Sequence, residues 1–246
     1  MRISDLSLAL VGVWLATAAE AQPVVESVST TGSLSGSSTT IVVNAPAGAG
    51  PNDLLVGCVT GTLTGDTTDV TASGWSHVAT RGGSGNSKVG MLWKVWDSSD
   101  GASYTFSLGT VAGSVRRGGI LRISNANLTA PGDATPSETG GSGGTGAQRN
   151  YTTITTATAN SLAIGCMVWA TNDSVYTPDV TVTNRFIQAR QAMDTKELPT
   201  PSATGTLTGT GTSTVWDAIF WAVAEAEAPP GPSGSVRRCL LLGVCE

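Results

Sequence analysis

The sequence predicts an all-β fold: an antiparallel, two-sheet β-sandwich, of jelly-roll or Ig-like topology, built from two similar half-units. Two observations support this prediction. Thr, Val and Gly are abundant and only 13% of residues are charged, a balance that favours strands and turns over helices or disorder. In addition, short β-prone runs recur roughly every 8–12 residues without helical periodicity, as in sandwiches and barrels.

The β-prone runs after Pro23 are separated by Gly, Asn, Asp and Ser, which favour turns. In the first half we predict strands at 24–29, 39–45, 53–61, 69–73, 75–81, 88–97, 103–109 and 118–126. In the second half we predict them at 151–159, 161–170, 180–190, 203–211 and 213–226. The intervening residues 129–150 are rich in Gly, Ser, Thr and Pro, which predicts a surface loop.

An internal repeat defines the two half-units, 23–128 and 151–227. NDLLVGC at 52–58 returns as NSLAIGC at 160–166, and DVTASGWSHVATR at 69–81 matches DVTVTNRFIQAR at 179–190 with one gap. Two copies are too few for a solenoid. The repeat fits one pseudo-symmetric sandwich or two tandem sandwiches, and we favour the single sandwich.

Each copy of the repeated heptapeptide is interpreted as a central strand preceded by a turn-forming Asn. Gly57 and Gly165 are expected to permit close backbone packing or a bulge. Cys58 and Cys166 are expected to act as small buried hydrophobic residues.

Residues 1–22 have two interpretations. The first is a secretory signal peptide, with an apolar core at 6–18 and a small-x-small cleavage site before Gln22. The second is a retained, strand-like arm, in which alternating apolar residues would make assembly contacts. The candidate contacts of that arm are Leu6, Leu8, Leu10 and Trp14.

Residues 228–246 combine a Pro/Gly-rich linker with the apolar tail VRRCLLLGVCE. An exposed apolar run of this kind is a candidate for docking on a neighbouring subunit. Its candidate contacts are Leu240, Leu241 and Leu242. For Cys239 and Cys245 we favour a local disulfide or free thiols over a bridge to the repeat cysteines.

The composition argues against several classes of function. His77 is the single histidine and lies in an apparent strand, so we expect it to be structural or at the surface. The cysteines lack zinc-site spacing, and no metal or cofactor is expected. The chain has a pI near 4.8 without a basic stripe, which disfavours nucleic-acid binding. The arginine pairs 116–117 and 237–238 are expected to be solvated or at an interface.

Acidic residues cluster in two apparent turns, at 66–69 and 97–100. Their carboxylates could ligate Ca²⁺, but the EF-hand spacing is absent and turn formation is the favoured interpretation.

Four of the seven tryptophans are candidate exposed aromatics: Trp93, Trp96, Trp216 and Trp221. The members of each pair, three and five positions apart, fall on opposite faces of a strand. One member could then stack on a sugar or anchor a partner. The favoured interpretation is core filling in a sandwich poor in Phe and Tyr.

A longer pattern resembles one found in virion proteins of phages and in some secreted bacterial β-sandwich proteins. It consists of NAPAGAGPNDLLVGCV, the Gly74-Trp75 turn, KVGMLWKVWDSSDGASYTFSLG and GGILRISNA. The resemblance spans residues 35–226, with a weaker copy in the second half, and its motifs are structural. Asn52 stands where Gly is frequent in the pattern, and the second half lacks a clear Gly-Trp turn.

This resemblance implies a non-enzymatic structural protein of a tailed phage virion, in capsid decoration, tail or fibre. It would act through contacts with other virion proteins and with further copies of this chain. A host-surface glycan is an additional candidate partner. The alternative is a secreted or cell-surface bacterial adhesin or carbohydrate-binding module with a cleaved signal peptide. No membrane span is expected, because the apolar core of the N-terminal segment is too short.

Overall fold

The computed structural model describes residues 21–34, 36, 38–62, 68–82, 87–109, 115–142, 148–170, 176–211 and 215–227. Ala21–Glu227 form one compact unit. Every regular secondary-structure element among the described residues is a β-strand, and every strand pairing is antiparallel. The predicted all-β antiparallel fold is thereby confirmed.

The described residues form a similar series of strands in each half. The strands of the first half are β1 (Val24–Leu34), β2 (Thr40–Asn44), β3 (Leu54–Gly61), β4 (Thr71–Ala72), β5 (Ser76–Gly82), β6 (Lys88–Val95), β7 (Ser103–Ser107) and β8 (Arg116–Ser124). Those of the second half are β9 (Ser137–Ser142), β10 (Gln148–Tyr151), β11 (Ser161–Trp169), β12 (Thr183–Gln188), β13 (Gln191–Leu198), β14 (Leu207–Thr210) and β15 (Val215–Val223).

The strand order repeats from one half to the other. A five-stranded sheet has the order β1-β8-β3-β6-β5 in the first half and β9-β15-β11-β13-β12 in the second. Each is covered on one face by a small sheet, β2-β7-β4 in the first half and β10-β14 in the second. This is the strand order of a jelly roll. The arrangement is thus more complex than the predicted two sheets, because each half is a sandwich of its own.

Three apolar cores follow from this layering. The first-half core, around Leu55, Phe106 and Ile120, lies between the five-stranded sheet and its small sheet. The second-half core, around Tyr151, Trp169 and Phe220, has the same position in the other jelly roll. A shared core contains residues from both five-stranded sheets, which therefore pack face to face.

The repeated heptapeptides begin the middle strands, β3 and β11, which are buried along their whole length. Successive side chains point alternately into the shared core and into the core of their own half. Both faces of these strands are covered, so their sequences are apolar runs instead of alternating patterns.

The asparagine before each strand has the left-handed conformation of a turn residue, whereas the glycine in each strand packs against an aromatic ring instead of another backbone or a bulge. Asn52 and Asn160 have positive φ values of 68° and 52°, a left-handed conformation that Gly and Asn adopt most readily. Gly57 and Gly165 allow close packing of an aromatic ring. A Cβ atom would lie 3.1 Å from the Phe106 ring at Gly57 and 2.4 Å from the Tyr151 ring at Gly165.

The segment 129–150 departs from the prediction of a loop. It contains β9 and the start of β10, and the connector that leads from β8 to β9 runs beside the end of β15. In that connector the backbone N of Asn127 donates to Ala224 O at 3.0 Å, and the N of Asp133 to Ala222 O at 2.9 Å. The backbone of a Gly-rich segment still forms ladder hydrogen bonds when a neighbouring strand edge is available.

Candidate functional site

A disulfide joins the two halves inside the shared core. Cys58 on β3 is bonded to Cys166 on β11, their Cα atoms are 5.9 Å apart and both residues are 0% exposed. The two residues are equivalent in the repeat, so the bond links matching points of the two jelly rolls. Their predicted burial is confirmed, but treating them as separate hydrophobic residues was wrong. The face-to-face packing of the middle strands brings the sulfur atoms together.

A buried glutamine from the second half lies beside this bond. Gln191 Nε2 donates to the backbone O of Cys58 at 3.0 Å and lies 3.1 Å from Cys58 Sγ. The contact satisfies a backbone carbonyl of one half with a side chain of the other. Because a buried polar group without a partner is costly, this contact helps to fix how the halves dock.

A buried carboxylate makes a second polar connection between the halves. Asp217 on β15 is 0% exposed. Arg81 Nε, on β5 of the first half, donates to Asp217 Oδ1 at 3.2 Å, and Ser87 Oγ donates to Asp217 Oδ2. Such a group is stable in a core only when it is paired and hydrogen-bonded.

A third buried polar cluster lies within the second half. Asp194 Oδ2 accepts hydrogen bonds from the hydroxyls of Tyr151 at 2.9 Å and Tyr176 at 3.0 Å, while Asn184 Nδ2 donates to Oδ1 at 2.7 Å. Burial raises the pKa of Asp194. It is also the largest of several causes that raise the pKa of Tyr151 and Tyr176. Perturbed groups of this kind occur in active sites and in structural networks alike. Here the carboxylate is held by side chains of its own half, as in a structural network.

A buried arginine packs against the same cluster. The guanidinium of Arg149 lies 4.7 Å from the ring centroid of Trp169 and 5.6 Å from that of Tyr176. Contacts of a cation with aromatic faces are favourable, and more so away from water. Arg149 comes from β10 and the two rings from the β11 region, so the contact joins the small sheet to the five-stranded sheet.

The candidate exposed tryptophans differ from one another in the structure. Trp216 and Trp221 are only 5% and 4% exposed, which agrees with core filling, the favoured interpretation, and rules out the exposed alternative for these two residues. They lie on opposite faces of β15, as predicted, but each face meets a core. Trp93 and Trp96 are half-buried, against the shared core and the first-half core respectively.

The single histidine has a structural environment. His77 Nε2 lies 2.9 Å from Thr80 Oγ1 and 3.5 Å from Asp69 Oδ1. A hydroxyl–His–Asp relay needs the hydroxyl and the carboxylate on different ring nitrogens, whereas here one nitrogen faces both. Thr80 Oγ1 also accepts a hydrogen bond from the backbone N of Val70. The group therefore ties β5 to the segment before β4.

The acidic turn after β6 is held by its own carboxylates. Asp97 Oδ1 accepts from the backbone N of Ser99 at 2.8 Å, and Asp100 Oδ2 accepts from the backbone N of Asp97 at 2.9 Å. Asp100 Oδ1 also accepts from Lys94 Nζ. These contacts confirm the turn interpretation for this pair. Within the described ranges, no cluster of three or more His, Cys, Asp or Glu side chains suits a metal ion.

A cavity of about 370 Å³ lies at one end of the compact unit, between Asn52, the 125–129 connector and Ala226–Glu227. Asn127 Oδ1 accepts backbone hydrogen bonds from Thr129 at 3.0 Å and Ala130 at 2.9 Å. The side-chain oxygen at the cavity wall therefore stabilises the local turn.

The chain enters and leaves the compact unit beside this cavity. Asn125 Nδ2 lies 3.5 Å from Gln22 O, and the backbone N of Ala226 donates to Asn125 O at 2.8 Å. The first and last described residues are therefore neighbours at the same end.

The candidate assembly contacts in both flanking segments lie outside the described residues, as does the candidate Cys239–Cys245 bridge. They are Leu6, Leu8, Leu10, Trp14, Leu240, Leu241 and Leu242. Across the part of the chain that is described, no helix is long and apolar enough to cross a membrane.

Gln191, Asp194 and Asp217 are not among the residues predicted from the sequence to be functional. A signal existed for Asp217, since one acid inside the apolar run VWDAIFWAV indicates a buried, paired carboxylate. Asp194 and Gln191 lie in QAMDTKEL, whose polar residues conceal a strand.

No protein-family profile, curated protein or solved structure matches this chain.

Proposed function

We propose that this protein is a non-enzymatic structural component of a tailed phage particle, in capsid decoration, tail or fibre. The proposal begins from the resemblance of its strand and turn motifs to those of virion proteins. It acts through contacts with other virion proteins and with copies of itself.

The observation that carries this proposal is the position of the two chain ends. Gln22 and Ala226 both contact Asn125, so the described chain enters and leaves the compact unit at the same end. The segments 1–20 and 228–246 contain apolar runs in sequence. A body whose chain enters and leaves at one end suits anchoring at that end, with its other surfaces displayed, as a decoration or fibre protein requires.

The buried disulfide supports an exposed location for the mature protein. Disulfides persist in secreted proteins and on virion or cell surfaces, and are rare in the cytosol. The bond between Cys58 and Cys166 therefore suits a particle released from its host. It equally favours a second candidate, a secreted adhesin or carbohydrate-binding module processed before Gln22.

Intact mass and N-terminal sequencing of the mature protein, combined with light scattering, separate these candidates. The phage proposal predicts a chain that keeps residues 1–21 and forms oligomers. A monomer that starts at Gln22 would contradict it. Glycan binding by such a monomer, lost in Trp96→Ala, would support the secreted candidate.

Substitutions in the tail test the assembly contacts directly. We expect the triple variant Leu240→Ser, Leu241→Ser, Leu242→Ser to lose the oligomer while its circular dichroism spectrum stays unchanged. Val42→Ser is the matched control, because Val42 is an apolar residue that is 47% exposed on the surface of β2. Equal oligomer content in both variants would refute a role for the tail.

A further inference from the structure

The repeat equates two pairs of residues at one end of the compact unit. The pairing of β3 with β8 in the first half has the same register as the pairing of β11 with β15 in the second. Two residues beyond the last paired positions stand Asn52 and Asn125 in the first half, and Asn160 and Glu225 in the second. The two pairs therefore occupy the same place in the two jelly rolls.

The pair in the second half is closed by a hydrogen bond. Asn160 Nδ2 donates to Glu225 Oε2 at 2.8 Å, and Glu225 is only 9% exposed. A side-chain amide and a carboxylate are complementary in such a contact, since one donates and the other accepts. This position of the second jelly roll is therefore satisfied by its own side chains.

The equivalent pair in the first half is open. Both of its members are amides, and no described residue forms a hydrogen bond with the side chain of Asn52. Asn125 Nδ2 lies 3.5 Å from Gln22 O. Both asparagines line the cavity of about 370 Å³ at this end of the compact unit. The contact that closes the second half is thus replaced by a cavity in the first.

Backbone hydrogen bonds fix the walls of this cavity. The N of Ala226 donates to Asn125 O at 2.8 Å and the N of Asn127 to Ala224 O at 3.0 Å, which joins the connector after β8 to the segment after β15. Asn52 and Asn125 have φ values of 68° and 57°, in a region that is uncommon outside glycine and recurs where ligands bind. A cavity with fixed walls binds a ligand without the cost of ordering them.

The described lining combines hydrogen-bonding groups of both kinds with small apolar surfaces. The amides offer N–H donors and carbonyl acceptors, while Glu227 adds a carboxylate and Thr129 a hydroxyl. Asn127 Nδ2 lies 3.5 Å from Glu227 Oε1. Ala126 and Leu128 supply the apolar contacts. No lysine or arginine is among the described lining residues, so the cavity does not suit an anion.

We propose that this cavity binds one uncharged sugar ring, either as a free sugar or at the end of a glycan. Each sugar hydroxyl both donates and accepts hydrogen bonds, which matches the amides and the carboxylate, and the C–H faces of the ring match the apolar contacts. The volume lies within the range of about 300–1,000 Å³ for small-molecule sites. The site is independent of the particle assignment, which the mature N-terminus and the oligomeric state decide.

Saturation-transfer NMR of the full chain tests this site, with D-glucose, D-galactose, D-mannose, L-rhamnose and N-acetyl-D-glucosamine as separate probes. We expect at least one of these sugars to receive saturation from the protein. Transfer to its methyl glycoside as well indicates the end of a glycan, whereas transfer to the free sugar alone indicates a free ligand. No transfer to any of the five sugars would overturn the proposal.

The variant Asn52→Gly removes the amide at the open position and keeps the left-handed backbone, which glycine adopts freely. We expect the dissociation constant of the bound sugar to rise up to about 10-fold, as for the loss of one hydrogen bond. Asn160→Gly is the matched control, because its amide is engaged by Glu225. It should be less stable in chemical unfolding and keep the wild-type dissociation constant. Equal dissociation constants for Asn52→Gly and the wild type would refute the site.

Two further variants keep the test decisive. Glu227→Gln retains the shape of the wall at an exposed residue and weakens its acceptor, so it should also raise the dissociation constant, and it serves if Asn52→Gly does not fold. Trp96→Ala tests a sugar stacked on a half-buried tryptophan outside the cavity, and it should keep the wild-type affinity. Binding that is lost in Trp96→Ala and kept in the cavity variants would overturn the proposal.

Discussion

Removing the disulfide between Cys58 and Cys166 is expected to lower the free energy of unfolding by up to about 5 kcal/mol. The two residues are 108 positions apart, and the entropy of closing a loop of that length in the unfolded chain corresponds to about 5 kcal/mol. For a chain of this size the midpoint of thermal unfolding should fall by roughly 10–20 °C. The loss is large because the bond closes nearly half of the chain.

Two measurements separate the cross-link from the packing of the sulfur atoms. Chemical unfolding of the reduced wild type reports the loss of the bond alone. The variant Cys58→Ala, Cys166→Ala also removes two buried sulfur atoms, so we expect it to unfold at still lower denaturant. Native protein should resist reductant, since neither cysteine is exposed and reduction requires the halves to open.

The control variant is Cys239→Ala, Cys245→Ala, which leaves the bond between the halves intact. It should unfold at the wild-type midpoint, and its cysteines should stay unlabelled by a thiol reagent after denaturation without reductant. Equal midpoints for oxidised and reduced wild type would refute the argument that the bond stabilises the docking of the halves.

Two further predictions concern the second-half core. Gly165→Ala should destabilise the protein by about 1–3 kcal/mol in chemical unfolding, and more than Gly57→Ala, because the new Cβ would lie 2.4 Å from the Tyr151 ring against 3.1 Å from the Phe106 ring; equal losses would contradict this. Asp194→Asn should abolish part of the pH dependence of stability. Burial raises the pKa of Asp194 above 3.8, so the folded protein retains a proton that the unfolded chain loses, and the stability of the wild type should fall relative to the variant as pH rises above that value. Parallel stability curves over that pH range would refute the raised pKa.

Much of the fold was predictable from local patterns. The apolar runs and the turn-forming asparagines of the heptapeptides located β3 and β11, because a central strand needs a continuous apolar run and a turn before it. The strand β13 was not predicted, since Asp194, Lys196 and Glu197 resemble surface residues. Asp194 is tolerated there only because Tyr151, Tyr176 and Asn184 meet it from segments distant in sequence.

The candidate sites were less predictable. Exposure of Trp216 and Trp221 depends on what covers each face of β15. The apolar run VWDAIFWAV is typical of a strand covered on both faces, but which surfaces cover it is decided by tertiary packing. The residues that connect the halves are separated by more than 100 positions, so no local pattern indicates which residue pairs with which.

Local sequence is enough to establish that this chain forms strands, that its two halves repeat, and where turn-forming asparagines and packing glycines lie. These properties depend on neighbours a few residues apart. The tertiary structure alone decided that each half closes as its own jelly roll and that the two five-stranded sheets pack face to face. It also decided that Cys58 bonds Cys166, and that Arg81 and Ser87 of one half meet Asp217 of the other. Those outcomes depend on which side chains meet across the interface between the halves.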